Sequence, residues 1–316
     1  MMKRALFMGT PAFAVPSLEA LAALKEVEIT CVVTQPDRPA GRGRTLQPSA
    51  VKARALELQL PVWTPENLKA EAEQIKLREL APDVLVVAAY GEILRPAVLD
   101  IPPYGAINVH ASLLPRHRGA APVAGALLSG DEETGVTIML MDEGMDTGPI
   151  LARRAIPIRE DHTRGTLTEE LAQLGADLLT ETLPRWLAGE IEPQPQDDEA
   201  ATYTRLIRKE HGQLDWDRPA TELANQVRAF DPWPSTYTTW QGQRLKVLEA
   251  NVLQERTGLP DDVPPGTVVR AGEAIAAATG DGWLELRRVQ LAGKTATDTE
   301  EFVKGYQAFV GSVLGE

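Results

Sequence analysis

The sequence predicts an α/β fold: a doubly wound, mostly parallel sheet followed by a small β-barrel. Three observations carry that expectation. Short apolar runs alternate with amphipathic stretches through the first two hundred residues. The run Val84-Leu85-Val86-Val87-Ala88-Ala89 is apolar throughout, as befits a central parallel strand covered on both faces. Beyond Leu187 the texture changes to short strand-like pieces separated by turn residues.

Taken in order, strands are expected over Ala5–Met8, Glu28–Val33, Asp83–Ala88, Gly105–Val109, Val136–Met141 and Leu151–Ile158. Helical stretches fall between them, at Ser17–Leu24, Ser49–Leu58, Asn67–Leu80, Pro122–Leu128 and Leu167–Leu187. Right-handed crossovers in such a sheet put functional loops at the carboxyl ends of strands. The acidic run Gly189–Ala200 carries two prolines and reads as a linker. A helix is expected over Ala220–Phe230. Strands follow at Ser235–Thr239, Arg244–Ala250, Gly266–Arg270, Ala274–Ala278 and Trp283–Val289. The expected division is residues 1–188, a linker over 189–203, and a barrel over 204–316.

Composition bounds the function. At roughly 100–200 residues per domain, 316 residues imply two domains. Hydrophobic residues at 43% and charged residues at 24% exclude wholesale disorder. A net charge of −13 argues against binding nucleic acid by bulk electrostatics, because phosphate contacts need Lys and Arg. The single cysteine, Cys31, allows no internal disulfide and no Cys-based zinc site, and it fits a reducing compartment. No apolar run reaches the roughly 18 residues of a membrane helix. The opening residues pass from a basic pair through a short apolar run into Thr10-Pro11, which reads as a strand and not a signal peptide. A cytoplasmic protein with no membrane partner is expected.

The densest chemistry lies between Ile107 and Ile150. Asn108 and His110 are two apart on a strand, so they share a face near its carboxyl end. An amide and an imidazole there can stabilise an oxyanion and carry a proton. Asp146 sits in a Gly-rich loop after the next strand, and a carboxylate near an imidazole favours the protonated ring. His117 reads as a surface loop residue. Four histidines in the chain support no metal cluster. The turn after the first strand has one glycine where a dinucleotide fingerprint needs three. The loop Pro39–Arg44 lacks the Gly-Lys-Ser/Thr ending of a phosphate loop. Two basic islands remain, Arg38/Arg42/Arg44 and Arg205/Arg208/Lys209, and on charge alone both read as solvated surface. The segment Phe230-Asp231-Pro232-Trp233-Pro234 is expected to pack the helix end against the barrel.

These segments resemble the methionyl-tRNA formyltransferase family over nearly the whole chain. The likeness is carried by Gly9-Thr10-Pro11 and by Thr34 through Gly43. It continues in Asn108-Val109-His110 with Ser112-Leu113-Leu114-Pro115, in Gly135 through Gly148, and in Phe230 through Pro234. The resemblance implies a Rossmann-like amino-terminal domain for the folate and an OB-like barrel that helps hold tRNA. It implies Asn108, His110 and Asp146 as the catalytic trio and Ser112, Leu113, Leu114 and Pro115 as the tetrahydrofolate-binding loop. Ala88–Ile93 and Leu140–Asp142 would line the pterin pocket. Arg42, with Arg38 and Arg44, would contact the acceptor stem, and Arg208 and Lys209 would add tRNA contacts. The implied substrates are 10-formyltetrahydrofolate, converted to tetrahydrofolate, and initiator methionyl-tRNA, with no metal. A monomer is expected. A protonated His110 would join Asn108 at the oxyanion. Two rivals stand beside this: a formyltetrahydrofolate hydrolase using the same trio with water, and a non-catalytic RNA-binding module.

Overall fold

A computed structural model describes residues 2–40, 45–254, 259–260 and 262–316. The chain divides into two compact units that interleave along the sequence. Unit 1 comprises residues 1–122, 133–157 and 168–204, and unit 2 comprises 123–132, 158–167 and 205–316.

Unit 1 is built on a seven-stranded sheet. Its strands are β1 (Lys3–Gly9), β2 (Val27–Val33), β3 (Val62–Trp63), β4 (Val84–Ala88), β5 (Ala106–His110), β6 (Glu133–Leu140) and β7 (Ile150–Pro157). They lie in the order β7-β6-β5-β4-β1-β2-β3. The five strands from β3 to β5 pair in parallel, whereas β6 and β7 are antiparallel additions at one edge. The chain moves outward from β1 to β3, then returns to β4 on the other side of β1. That reversal is the doubly wound signature, and it opens a crevice at the carboxyl ends of β1 and β4. β4 is buried along its whole length, so both of its faces need apolar residues.

The expected helices are present at Val15–Ala23, Ala50–Glu57, Glu71–Glu79, Pro122–Ser129 and Arg164–Leu187. The second begins at Ser49, whose hydroxyl accepts from the Lys52 amide as an N-cap. Short elements escaped the sequence reading because they are too brief for a period. These include β3, the ladder Arg38–Ala40 with Thr45–Gln47, and the ladder Arg118–Gly119 with Tyr203–Thr204.

Residues 189–203, expected as a linker, are bonded into unit 1. Gln194 exchanges two backbone hydrogen bonds with Ile150, at 2.8 and 2.9 Å. Of the segment's polar side chains, Gln196 and Asp198 also bond to the rest of unit 1, whereas most of the others are exposed.

Unit 2 carries the expected antiparallel sheet. Its strands are β8 (Thr236–Trp240), β9 (Gln243–Val252), β10 (Val268–Ala271), β11 (Ala274–Ala278) and β12 (Trp283–Leu291). They run β8-β9-β12-β11-β10, and no pairing among the described residues closes β10 onto β8. The helices Ala220–Ala229 and Thr299–Gly305 cover the sheet's core. Trp240 meets Phe302, Tyr306 and Phe309 edge-on at 5.7, 5.6 and 5.3 Å. Phe230 is buried, but Trp233 is 45% exposed, so only the first of these aromatics packs as expected. Residues 158–167 are tied in by Gly165 N donating to Asp231 O at 3.2 Å and by Arg228 Nη1 donating to Arg159 O.

Candidate active site

β5 sets the geometry. Its alternation puts Asn108 and His110 on one face, with His110 the last residue of the strand. Opposite them on β6, Met139 pairs with Asn108 and Thr137 pairs with His110. Because β6 is antiparallel to β5, its carboxyl end, Leu140, lies beside Ile107, three residues back from His110. The connection 141–149 must therefore carry Asp146 about 10 Å back along the strand. It does so: Asp146 Oδ1 lies 3.6 Å from His110 Nδ1. Asp146 adopts φ +56°, and its other oxygen accepts from the Gly119 amide at 2.8 Å.

His110 is buried, with Nε2 3.2 Å from the His117 carbonyl. A carbonyl can only accept, so Nε2 carries the proton and a neutral ring keeps its lone pair on Nδ1. Burial pushes the His110 pKa down, against the opposing pull of Asp146 and the His117 carbonyl. That direction runs against the expectation that Asp146 raises the His110 pKa. Desolvation, the larger influence, favours the neutral ring over the imidazolium. At 3.6 Å the Nδ1–Oδ1 pair is not a hydrogen bond but a gap between two acceptors, open to a donor. Asn108 is half-buried, and its amide makes no hydrogen bond to another described residue.

The loop after β5 is braced internally. The Ser112 hydroxyl donates to Arg116 O at 2.7 Å. Leu114 is buried against Met139 and Ile150. Thr137 Oγ1 donates to Ser112 O at 2.7 Å and accepts from Leu114 N at 3.1 Å, while Arg153 donates to Leu114 O. Of the four expected folate-loop residues, Ser112 and Leu114 thus face inward, and Leu113 and Pro115 remain partly exposed. His117, expected at the surface, is 5% exposed and adopts φ +58°; its amide donates to Thr202 Oγ1 at 2.8 Å.

Sequence reasoning missed the residues behind Asp146. Gln196 Nε2 donates to Asp146 O at 2.8 Å and Gly148 O at 2.7 Å. Gln196 Oε1 accepts from Arg118, which is 1% exposed and also pairs with Asp198 at 2.7 Å. No local signal marks Gln196, because its partners lie 48 to 78 residues away.

Arg38 lies on the short ladder in unit 1, with Nη2 3.4 Å from Gln35 Oε1. Arg42 and Arg44 fall outside the described residues. Arg208 and Lys209 are exposed in unit 2, where Arg208 N donates to His211 Nδ1.

The formyl transferase family model matches residues 2–183, and the formyl transferase C-terminal domain matches residues 206–307. The chain is 50% identical over 313 residues to a methionyl-tRNA formyltransferase of Roseiflexus sp. strain RS-1, covering 99% of this chain and 95% of that one. It is 45% identical to the methionyl-tRNA formyltransferase of Geobacter sulfurreducens, covering 99% and 97%. The fold is shared with an N-formyltransferase from Helicobacter canadensis, solved with folinic acid and dTDP-3-aminofucose. That likeness has a TM-score of 0.66 at 20% identity, over 93% of this chain and 100% of that one. It is shared also with HypX from Aquifex aeolicus in complex with tetrahydrofolic acid, at TM-score 0.62 and 17% identity, over 98% and 48%. With full-length relatives at this identity and both family models matched in order, the chain belongs to the methionyl-tRNA formyltransferase family.

Proposed function

We propose that this chain transfers the formyl group of 10-formyltetrahydrofolate to the α-amino group of initiator methionyl-tRNA. The observation that carries this reading is the His110 Nδ1–Asp146 Oδ1 gap, two residues along one strand face from an uncommitted Asn108 amide. That set suits a formamide donor and an amine acceptor, because one group polarises a carbonyl oxygen and another takes a proton.

In the reaction a C–N bond forms between the amine and the formyl carbon, and the bond from that carbon to the folate nitrogen breaks. The α-amino group has a pKa of roughly 7.7–8.0, so a useful neutral fraction exists near pH 7. As it attacks, it sheds a proton, which His110 accepts at Nδ1. Asp146 then faces an imidazolium and stabilises it. Asn108 donates to the formyl oxygen as charge gathers there. His110 returns its proton to the departing folate nitrogen.

Unit 1 would hold the folate, with Leu113 and Pro115 as contacts while Ser112 and Leu114 brace the loop. Arg38, Arg42 and Arg44, and separately Arg208 and Lys209, would supply phosphate contacts. The protein would work in the cytoplasm as a monomer.

The test is a formyl-transfer assay with charged initiator tRNA, with uncharged tRNA and water as controls. Formylmethionyl-tRNA should form only with the charged acceptor. Formate release at the same rate without tRNA would replace the reading with hydrolysis.

A further inference from the structure

We propose that Gln196 is a positioning residue for formyl transfer: braced by buried Arg118, it holds the Asp146 loop in register with His110. The inference rests on the catalytic reading of Asp146 given above.

The connection 141–149 has a demanding path. It runs back along β5, and Asp146 takes a left-handed backbone conformation that a non-glycine residue keeps only when its surroundings hold it. Gln196 provides that hold. Its two amide hydrogens go to Asp146 O and Gly148 O, and its oxygen accepts from Arg118 Nε at 3.1 Å and Nη2 at 2.8 Å. Both donors and both lone pairs are used, which fixes a single orientation of the amide.

Arg118 is in turn fixed. It is buried, always charged, and completed by Asp198 Oδ1 and, at 3.3 Å, by Tyr203 Oη. The same short ladder aims the next residue. Arg118 N donates to Thr202 O, and Thr204 Oγ1 donates to Arg118 O. Gly119 adopts φ +108°, and a Cβ there would overlap the Thr204 carbonyl oxygen, so only glycine fits. Its amide then meets Asp146 Oδ2. Asp146 is held at both ends, its backbone by Gln196 and its carboxylate by Gly119. The oxygen left over is the one facing His110.

The experiment uses full-length protein with charged initiator tRNA. Gln196→Glu keeps the shape and an acceptor for Arg118 but has no hydrogen for the two carbonyls. Its kcat should fall roughly 10- to 100-fold, as expected for a misplacement near 1 Å, with KM for the folate unchanged. The groups facing His110 are Asp146 and His117. Losing the carboxylate's support for the imidazolium should move the acid limb of kcat/KM to lower pH, which a purely structural role would not do. In an Asp146→Asn background, Gln196→Glu should cost nothing further. Wild-type kcat in Gln196→Glu, or an equal fold-loss in both backgrounds, overturns the inference. If Gln196→Glu lowers the melting temperature, Gln196→Met, neutral and of similar size, gives the same readouts. Loss of activity in Asp146→Asn with none in Gln196→Glu sinks only this inference. Full activity in Asp146→Asn sinks the catalytic reading itself.

Discussion

Around His110 and around Trp240 the protein fills its interior by opposite means. The first interior is polar: His110, Ser112, His117, Arg118 and Thr137 are all buried and joined by directional bonds to carbonyls and carboxylates. The second is an aromatic cluster, with Phe302 stacked on Tyr306 at 4.5 Å and three rings edge-on to Trp240. Apolar burial is non-directional and scales with area, so it stabilises without fixing atoms to fractions of an ångström. Buried polar groups add little net stability, yet each is costly unless its partner stands in the right place. The polar interior therefore specifies geometry, and the aromatic one supplies stability.

The largest expected effect breaks the polar side. His110→Ala should lower kcat roughly 10²- to 10⁴-fold, the range for losing a general base. Thermal melting should fall less than for Trp240→Ala, by the cost of one emptied buried site. Formyl transfer at saturating tRNA measures the first, and near-normal turnover would remove His110 from the chemistry. The aromatic side should respond in reverse. Trp240→Ala should destabilise the fold by about 3–5 kcal/mol, read by urea unfolding, while kcat of the folded fraction at low temperature stays near wild type. A smaller kinetic loss sharpens the comparison. Asn108→Ala should cost about 10²- to 10³-fold in kcat, as for one oxyanion donor, and little stability, because its side-chain amide bonds to no described residue.

How much of this was legible in the sequence follows from the same contrast. β4 was legible because burial on both faces leaves an apolar run. Asn108 and His110 were legible as a pair because a strand repeats every two residues. Asp146 was marked by its Gly-rich loop after the next strand, and the family likeness attached a role to it. The protonation of His110 was not legible, because it depends on how completely the ring is desolvated. Gln196 and Arg118 were hidden for a related reason. A polar stretch with prolines looks the same whether its side chains meet water or meet buried carbonyls. Only the long-range partners, 78 residues apart for Arg118 and Gln196, decide between them.

The smallest expected effect concerns pH and separates the two interiors by their stability alone. In the unfolded chain His110 titrates near pH 6.5, and in the folded protein burial lowers that value. Below pH 6.5 the unfolded state therefore binds a proton that the folded state refuses. Stability rises with pH wherever the unfolded state holds more protons, so this contribution is full above pH 6.5. It is lost as pH falls toward the folded value, by at most about 1.4 kcal/mol per pH unit. His110→Gln should flatten the curve of unfolding free energy in that window and leave it unchanged at pH 7.5 and above apart from a constant offset. Trp240→Phe, which alters the aromatic interior, should shift the whole curve and keep its slope, because it exchanges one ring without an ionisable group for another. An unflattened slope in His110→Gln would mean that the buried ring takes up its proton as readily as a solvated one. The neutral Nδ1 acceptor would then have no basis.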